Sequence, residues 1–125
     1  MCLTLSNKVV ITMKIRTLIF VGLLGISAQG NAGYFKAGEV LEICKSESTA
    51  DKNFCSMYLA AVFDVHESLI DWEALPVKYF CFPIPVTMGH LRKIFIRHAN
   101  KNPQDLHLSA SSMGMNSFRE AFPCE

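Results

Sequence analysis

No run of this 125-residue chain stays apolar for the about 20 residues that a membrane-crossing helix needs. No two of its five cysteines have the short spacing that sets two thiolates on one tetrahedral ion. Gly-rich phosphate loops, a Gly-x-Ser-x-Gly elbow and a His-Glu-x-x-His pair are all missing. Acids are missing before Glu39, and Trp72 is the only tryptophan. These absences argue against a membrane-spanning protein, a zinc ribbon, a nucleotide enzyme and the common hydrolases.

What is there begins with an acid-free leader. Met13-Lys14-Ile15-Arg16 is basic, residues 18–26 are apolar, and residues 27–33 are small and polar, the order of a secretory signal peptide. The reading is a signal peptide over 1–32, cut after Ala32 with Gly30 and Ala32 as the small residues, and a single domain over 33–125. Cleavage after Gly30 and a start at Met13 are the alternatives. The next cysteine after the apolar run is Cys44, so no lipid-anchoring cysteine follows it. The expected location is the periplasm. Of the 12 basic residues, Lys8, Lys14 and Arg16 leave with the leader while all 11 acids stay, so the exported part carries a net charge near −2. That is poor footing for a nucleic-acid binder, whose affinity rests on clustered positive charge.

Without Cys2 in the leader, four cysteines remain: Cys44, Cys55, Cys81 and Cys124. An even number in a small exported domain reads as a disulfide framework, because a core of this size buries little apolar surface.

Apolar spacing predicts an all-α fold, a small antiparallel four-helix bundle. Val40, Leu41 and Ile43 form one side of a short helix over 39–44. Phe54, Tyr58, Ala61, Val62, Val65, Leu69 and Trp72 recur at three- and four-residue steps and predict the core stripe of a long central helix, capped by Thr49 or Asp51. Leu75-Pro76 ends it, and three prolines keep 76–85 as loop. Thr87 opens a third helix with Leu91, Ile94, Phe95 and His98 on one side. Asn102 as cap and Pro103 at the first position start a fourth over 104–121, carrying Leu106, Ala110, Met113 and Ser117. Gly114 in that helix predicts a bend or the close approach of another backbone. Short connections make neighbours antiparallel, which sets Cys44 beside Cys55 at one end and Cys81 beside Cys124 at the other. The other two connectivities make a cysteine cross the bundle.

Candidate chemistry is sparse. His66, between Asp64 and Glu67, reads as a base or metal ligand, or as part of a solvated helix side. His90 and His98 stand two turns apart, too far to share an ion, and His107 has no partner in sequence. Cysteines committed to bridges offer no thiolate nucleophile. The expectation is no enzyme, no metal and no cofactor. Lys93, Arg97 and Lys101 read as a solvated side, salt-bridged to Asp64, Glu67 or Asp71, or as a face for an acidic partner. The contact surface is expected on the proline-held loop 72–84, with Trp72, Tyr79, Phe80 and Phe82 as partner-binding aromatics. The opposing reading of Tyr79, Phe80 and Phe82 is that they close the end of the core.

Phe54-Cys55-x-x-Tyr58-Leu59-x-x-Val62-x-Asp64, Cys81-x-Pro83-x-x-Val86-Thr87-x-x-x-Leu91, Asn102-Pro103-x-x-Leu106-His107-x-x-Ala110 and Ala121-Phe122-Pro123-Cys124 stand in an order that resembles the Rap/Tai family of periplasmic immunity proteins. The resemblance implies a small disulfide-bonded helical protein, often a homodimer, that binds a type VI secretion effector in the periplasm. In the best-known branch the effector is a papain-like peptidoglycan amidase whose cleft is occluded. Ala60-Ala61 stands where the family often has glycine, and residues 111–116 are more polar than usual. A general periplasmic helical binding protein, such as an acid-stress chaperone, shares the leader, size and disulfides and is the alternative.

Overall fold

The computed structural model describes residues 33–125 apart from Ile84, so the expected leader and its cleavage site lie outside the described residues. Among the described residues are four α-helices: α1 (Ala37–Lys45), α2 (Thr49–Asp71), α3 (Met88–Lys101) and α4 (Ala110–Ala121). A 3₁₀ turn over Pro103–Asp105 and an isolated antiparallel bridge between Lys36 and Ser109 complete them. Each helix packs against the other three. Val40, Leu59, Ile94, Phe95 and Phe118 are buried at the centre.

The first helix solves its end problem with tertiary partners. Its opening N–H groups have no carbonyl one turn back, and those of Ala37 and Gly38 donate instead to Leu108 O (2.8 Å) and Leu106 O (2.9 Å). At its other end Arg92 Nε of α3 donates to Cys44 O at 2.7 Å, a cation set against the negative end of the helix. Because residues 106–108 serve α1, they are not part of the fourth helix. That helix starts at Ala110 instead of residue 104, capped by Ser109, whose Oγ accepts from Ser112 N at 3.3 Å. Pro103 does follow Asn102 at the first position of the 3₁₀ turn, but the Asn102 amide donates back to His98 O (2.8 Å) and caps nothing.

Ser48, not Thr49 or Asp51, caps α2, its Oγ accepting from Asp51 N at 3.4 Å. At the far end Glu73 takes a left-handed conformation (φ 55°), and the N–H groups of Glu73, Ala74 and Leu75 turn back to Ile70 O, Leu69 O and Leu69 O. The helix therefore stops before Leu75-Pro76. Thr87 caps α3 as its side chain predicts, accepting from His90 N at 3.2 Å.

Both disulfides join the predicted pairs, Cys44 to Cys55 and Cys81 to Cys124, with Cα atoms 5.1 and 5.0 Å apart. The first also decides which side of α2 faces inward. Cys55, Leu59 and His66 are its buried residues, while Phe54, Val65 and Trp72 of the predicted core stripe are 40, 57 and 74% exposed and Ala61 is exposed. Apolar residues run most of the way round α2, and the bond from Cys55 to the buried Cys44 turns the Cys55 side in. What approaches Gly114 is side chain and not backbone. The glycine is buried facing Val62 and Leu59, whose side chains would lie 3.5 and 3.6 Å from an added Cβ.

Candidate functional site

Burial alternates along residues 79–82 of the loop after α2. Phe80 is buried and Phe82 half-buried, whereas Tyr79 and Cys81 face outward. The Cys81–Cys124 bond and a hydrogen bond from Cys81 N to Phe122 O (2.9 Å) press this segment onto the end of α4. Phe82 stacks on Phe63 with ring centroids 4.7 Å apart and meets Phe122 edge-on at 4.7 Å, and Phe80 meets Phe118 edge-on at 5.4 Å. Of the four aromatics expected to bind a partner, Phe80 and Phe82 thus close the bottom of the core. Trp72 and Tyr79, 74 and 45% exposed, remain available.

His66 holds this loop to α2. It is fully buried, stacked on Phe80 at 4.0 Å, and its Nε2 accepts the backbone N–H of Tyr79 at 3.0 Å. The ring proton therefore sits on Nδ1, which donates to Glu67 Oε1 at 3.1 Å. Glu67 Oε2 accepts from Lys78 Nζ at 3.0 Å, so the chain of contacts closes on the residue before Tyr79. The hydrogen bond from Lys78 holds the Glu67 carboxyl below the usual glutamate range, outweighing the opposite effect of burial. Both ring nitrogens are occupied and no solvent reaches them. His66 is neither part of a solvated helix side nor placed to take a proton from a substrate or to bind a metal.

The outward side of α2 is also apolar. Phe54, Met57, Ala61, Val65 and Trp72 lie along it in a strip, and Met57 and Val65 are 61 and 57% exposed. Beside the strip, Tyr58, Val62, Leu69 and Met115 of α4 line a groove of about 350 Å³. A second hollow runs on from Leu69 and Met115 to Leu75 and Tyr79. Burial pushes the Tyr58 phenol above its ordinary range, with the Ser111 hydroxyl across the groove acting in the opposite direction. Sequence reasoning placed Trp72 and Tyr79 at this site and missed Val65 and Met115. The available signal was a helix with more apolar residues than one core-facing side can use.

The remaining histidines make contacts within the chain, and of Lys93, Arg97 and Lys101 on the basic side of α3 only Lys101 is ion-paired among the described residues. His98 Nδ1 pairs with Glu120, which also meets Lys101 at 3.5 Å. These contacts, the His98 hydrogen bond foremost, hold the Glu120 carboxyl below its usual range. His107 Nδ1 donates to Gln104 O (2.8 Å), and His90 stands edge-on to Phe122. Among the described residues no cation of α3 is paired with Asp64, Glu67 or Asp71, and no three metal-ligating side chains come together.

The family model described as Rap1a immunity proteins matches residues 36–124. No curated protein and no solved structure matches the chain.

Proposed function

The chain belongs to the Rap1a immunity protein family, and from that premise we propose that it is exported to the periplasm and there neutralises a peptidoglycan amidase delivered by type VI secretion. It acts by occupying the effector's active-site cleft and carries out no chemistry of its own. The leader over 1–32 is removed after Ala32, and the mature chain works as a homodimer.

The observation that carries this reading is the family match, which spans both disulfides and all four helices. The geometry agrees with a binding role. The buried histidine is spent on holding a loop, the four cysteines among the described residues are bridged, and the most conspicuous unused surface is apolar. A chaperone switched on by acid uncovers apolar surface when its carboxylates protonate. Here the α2 strip is uncovered with Glu67 and Glu120 held in their ionised forms, which favours a dedicated partner.

The test is co-expression of the full chain with a secreted cysteine-histidine amidase, sought first in the neighbouring reading frames, both directed to the periplasm. Lysis by the amidase alone, survival with the chain present and recovery of a stoichiometric complex are the expected results. Lysis that continues with the folded chain present sinks the reading.

A further inference from the structure

The strip on α2 and the groove beside it form one contiguous apolar surface, from Met57 past Val65 to Trp72 and Tyr79. Surfaces of this kind on a small protein mark contact sites. Its charge is one-sided. At 100° per residue, Asp64 and Asp71 fall on the flank of α2 away from the groove, two turns apart, with Glu73 just beyond. All three are exposed and none has an ion-pair partner among the described residues, whereas Glu67 between them is matched by Lys78. The α4 bank contributes Arg119, also exposed.

We propose that this face is where the effector docks, through a cationic segment that lays an apolar side chain in the groove and sets lysine or arginine against Asp64 and Asp71. The inference rests on the immunity reading and adds to it the surface and the chemistry of recognition. Complementary charge selects this occupant. A second copy brings Asp64, Asp71 and Glu73 again with only Arg119 to set against them, and an anionic lipid surface is repelled by the carboxylates.

The probe is a short helical peptide with leucine on one side and lysine on the other, titrated into the full oxidised protein beside a leucine-glutamate counterpart. The lysine peptide is expected to shift the amides of Ala61, Val65, Leu69 and Met115, to saturate, and to weaken as salt rises. Val65→Glu, at an exposed position that folding tolerates, weakens it roughly tenfold, and Asp64→Lys with Asp71→Lys does the same. Arg97→Glu, exposed on α3, leaves it unchanged. Equal binding of the glutamate peptide, shifts that avoid the groove, or a dimer in sedimentation whose interface covers Val65 overturns the proposal. In the co-expression assay, protection by the wild type that Val65→Glu abolishes supports it. Protection retained by Val65→Glu and by the aspartate pair overturns the surface and leaves the immunity reading standing. Failure of the wild type to protect overturns the immunity reading itself, and the identity of the partner with it.

Discussion

Nε2 of the buried His66 accepts the backbone N–H of Tyr79 at 3.0 Å, across thirteen residues of chain, and this bond carries the loop onto α2. His66→Ala leaves that N–H without a partner and opens a cavity against Phe80. The expected cost is about 3 kcal/mol, read as a lower urea midpoint with an unchanged slope. Exchange of the Tyr79 amide should quicken in the same variant, and His66→Gln, which keeps an acceptor, should recover part of both. An unaltered Tyr79 exchange rate in His66→Ala would show that the bond does not hold the loop.

How much of this was legible depended on whether the deciding contact was local. Thr87 capping α3 and proline keeping 76–85 out of a helix are written in neighbouring residues, and the cysteine pairs follow from helix order. The rotation of α2 is not local. Leu59 and Phe63 compete with Tyr58 and Val65 for the core, and the bond between Cys44 and Cys55 breaks the tie. The start of α4 had a local signal in Ser109, but its use depends on α1 taking the carbonyls of Leu106 and Leu108. Of the aromatics expected at the contact surface, Trp72 and Tyr79 are the exposed ones. Phe80 and Phe82 are separated from them by the alternating burial of residues 79–82, a segment that the second disulfide ties to the end of α4.

The closed contact of His66, Glu67 and Lys78 gives stability a dependence on acid. The Glu67 carboxyl titrates lower when folded, chiefly because Lys78 donates to it. Its contribution is therefore complete above the unfolded glutamate value and is lost as pH falls through the lower folded one. Glu120, lowered chiefly by His98, acts in the same direction. Lys78→Gln should reduce the loss of stability on acidification while lowering stability at neutral pH, with the Glu120 share intact. Urea unfolding across the acid range checks this, and parallel pH profiles for wild type and variant would contradict it. Glu67 is half-buried and Glu120 exposed, so solvent screens both pairs and the effect is small beside that of His66.

Gly114 is a stabilising substitution waiting in the core. It occupies the interior of α4, where glycine costs about 1 kcal/mol relative to alanine. The methyl of Gly114→Ala would meet Val62 and Leu59 at 3.5 and 3.6 Å, ordinary contact distances. Gly114→Ala should therefore raise stability by about 1 kcal/mol, seen as a higher melting temperature with the helix content unchanged. A fall instead would mean that α2 and α4 sit closer in solution than these distances allow.

The two disulfides should differ in worth and in what their loss releases. They close loops of 11 and 43 residues, for which the loss of unfolded-state entropy gives about 3 and about 4 kcal/mol. Replacing Cys81 and Cys124 by alanine should accordingly cost more than replacing Cys44 and Cys55. The larger loss also has a place, because Cys81 fixes the segment that carries Tyr79 out and Phe80 in. Without that bond the hydrogen bond from Cys81 to Phe122 and the stacking of Phe82 on Phe63 are left to hold the pole. Proteolysis should then cut within residues 76–83 while α1 and α2 stay protected, whereas loss of the Cys44–Cys55 bond should expose the turn between those helices. Peptide mapping of each double variant separates the outcomes, and cleavage at the same sites in both would mean that the bridges act only on the unfolded chain.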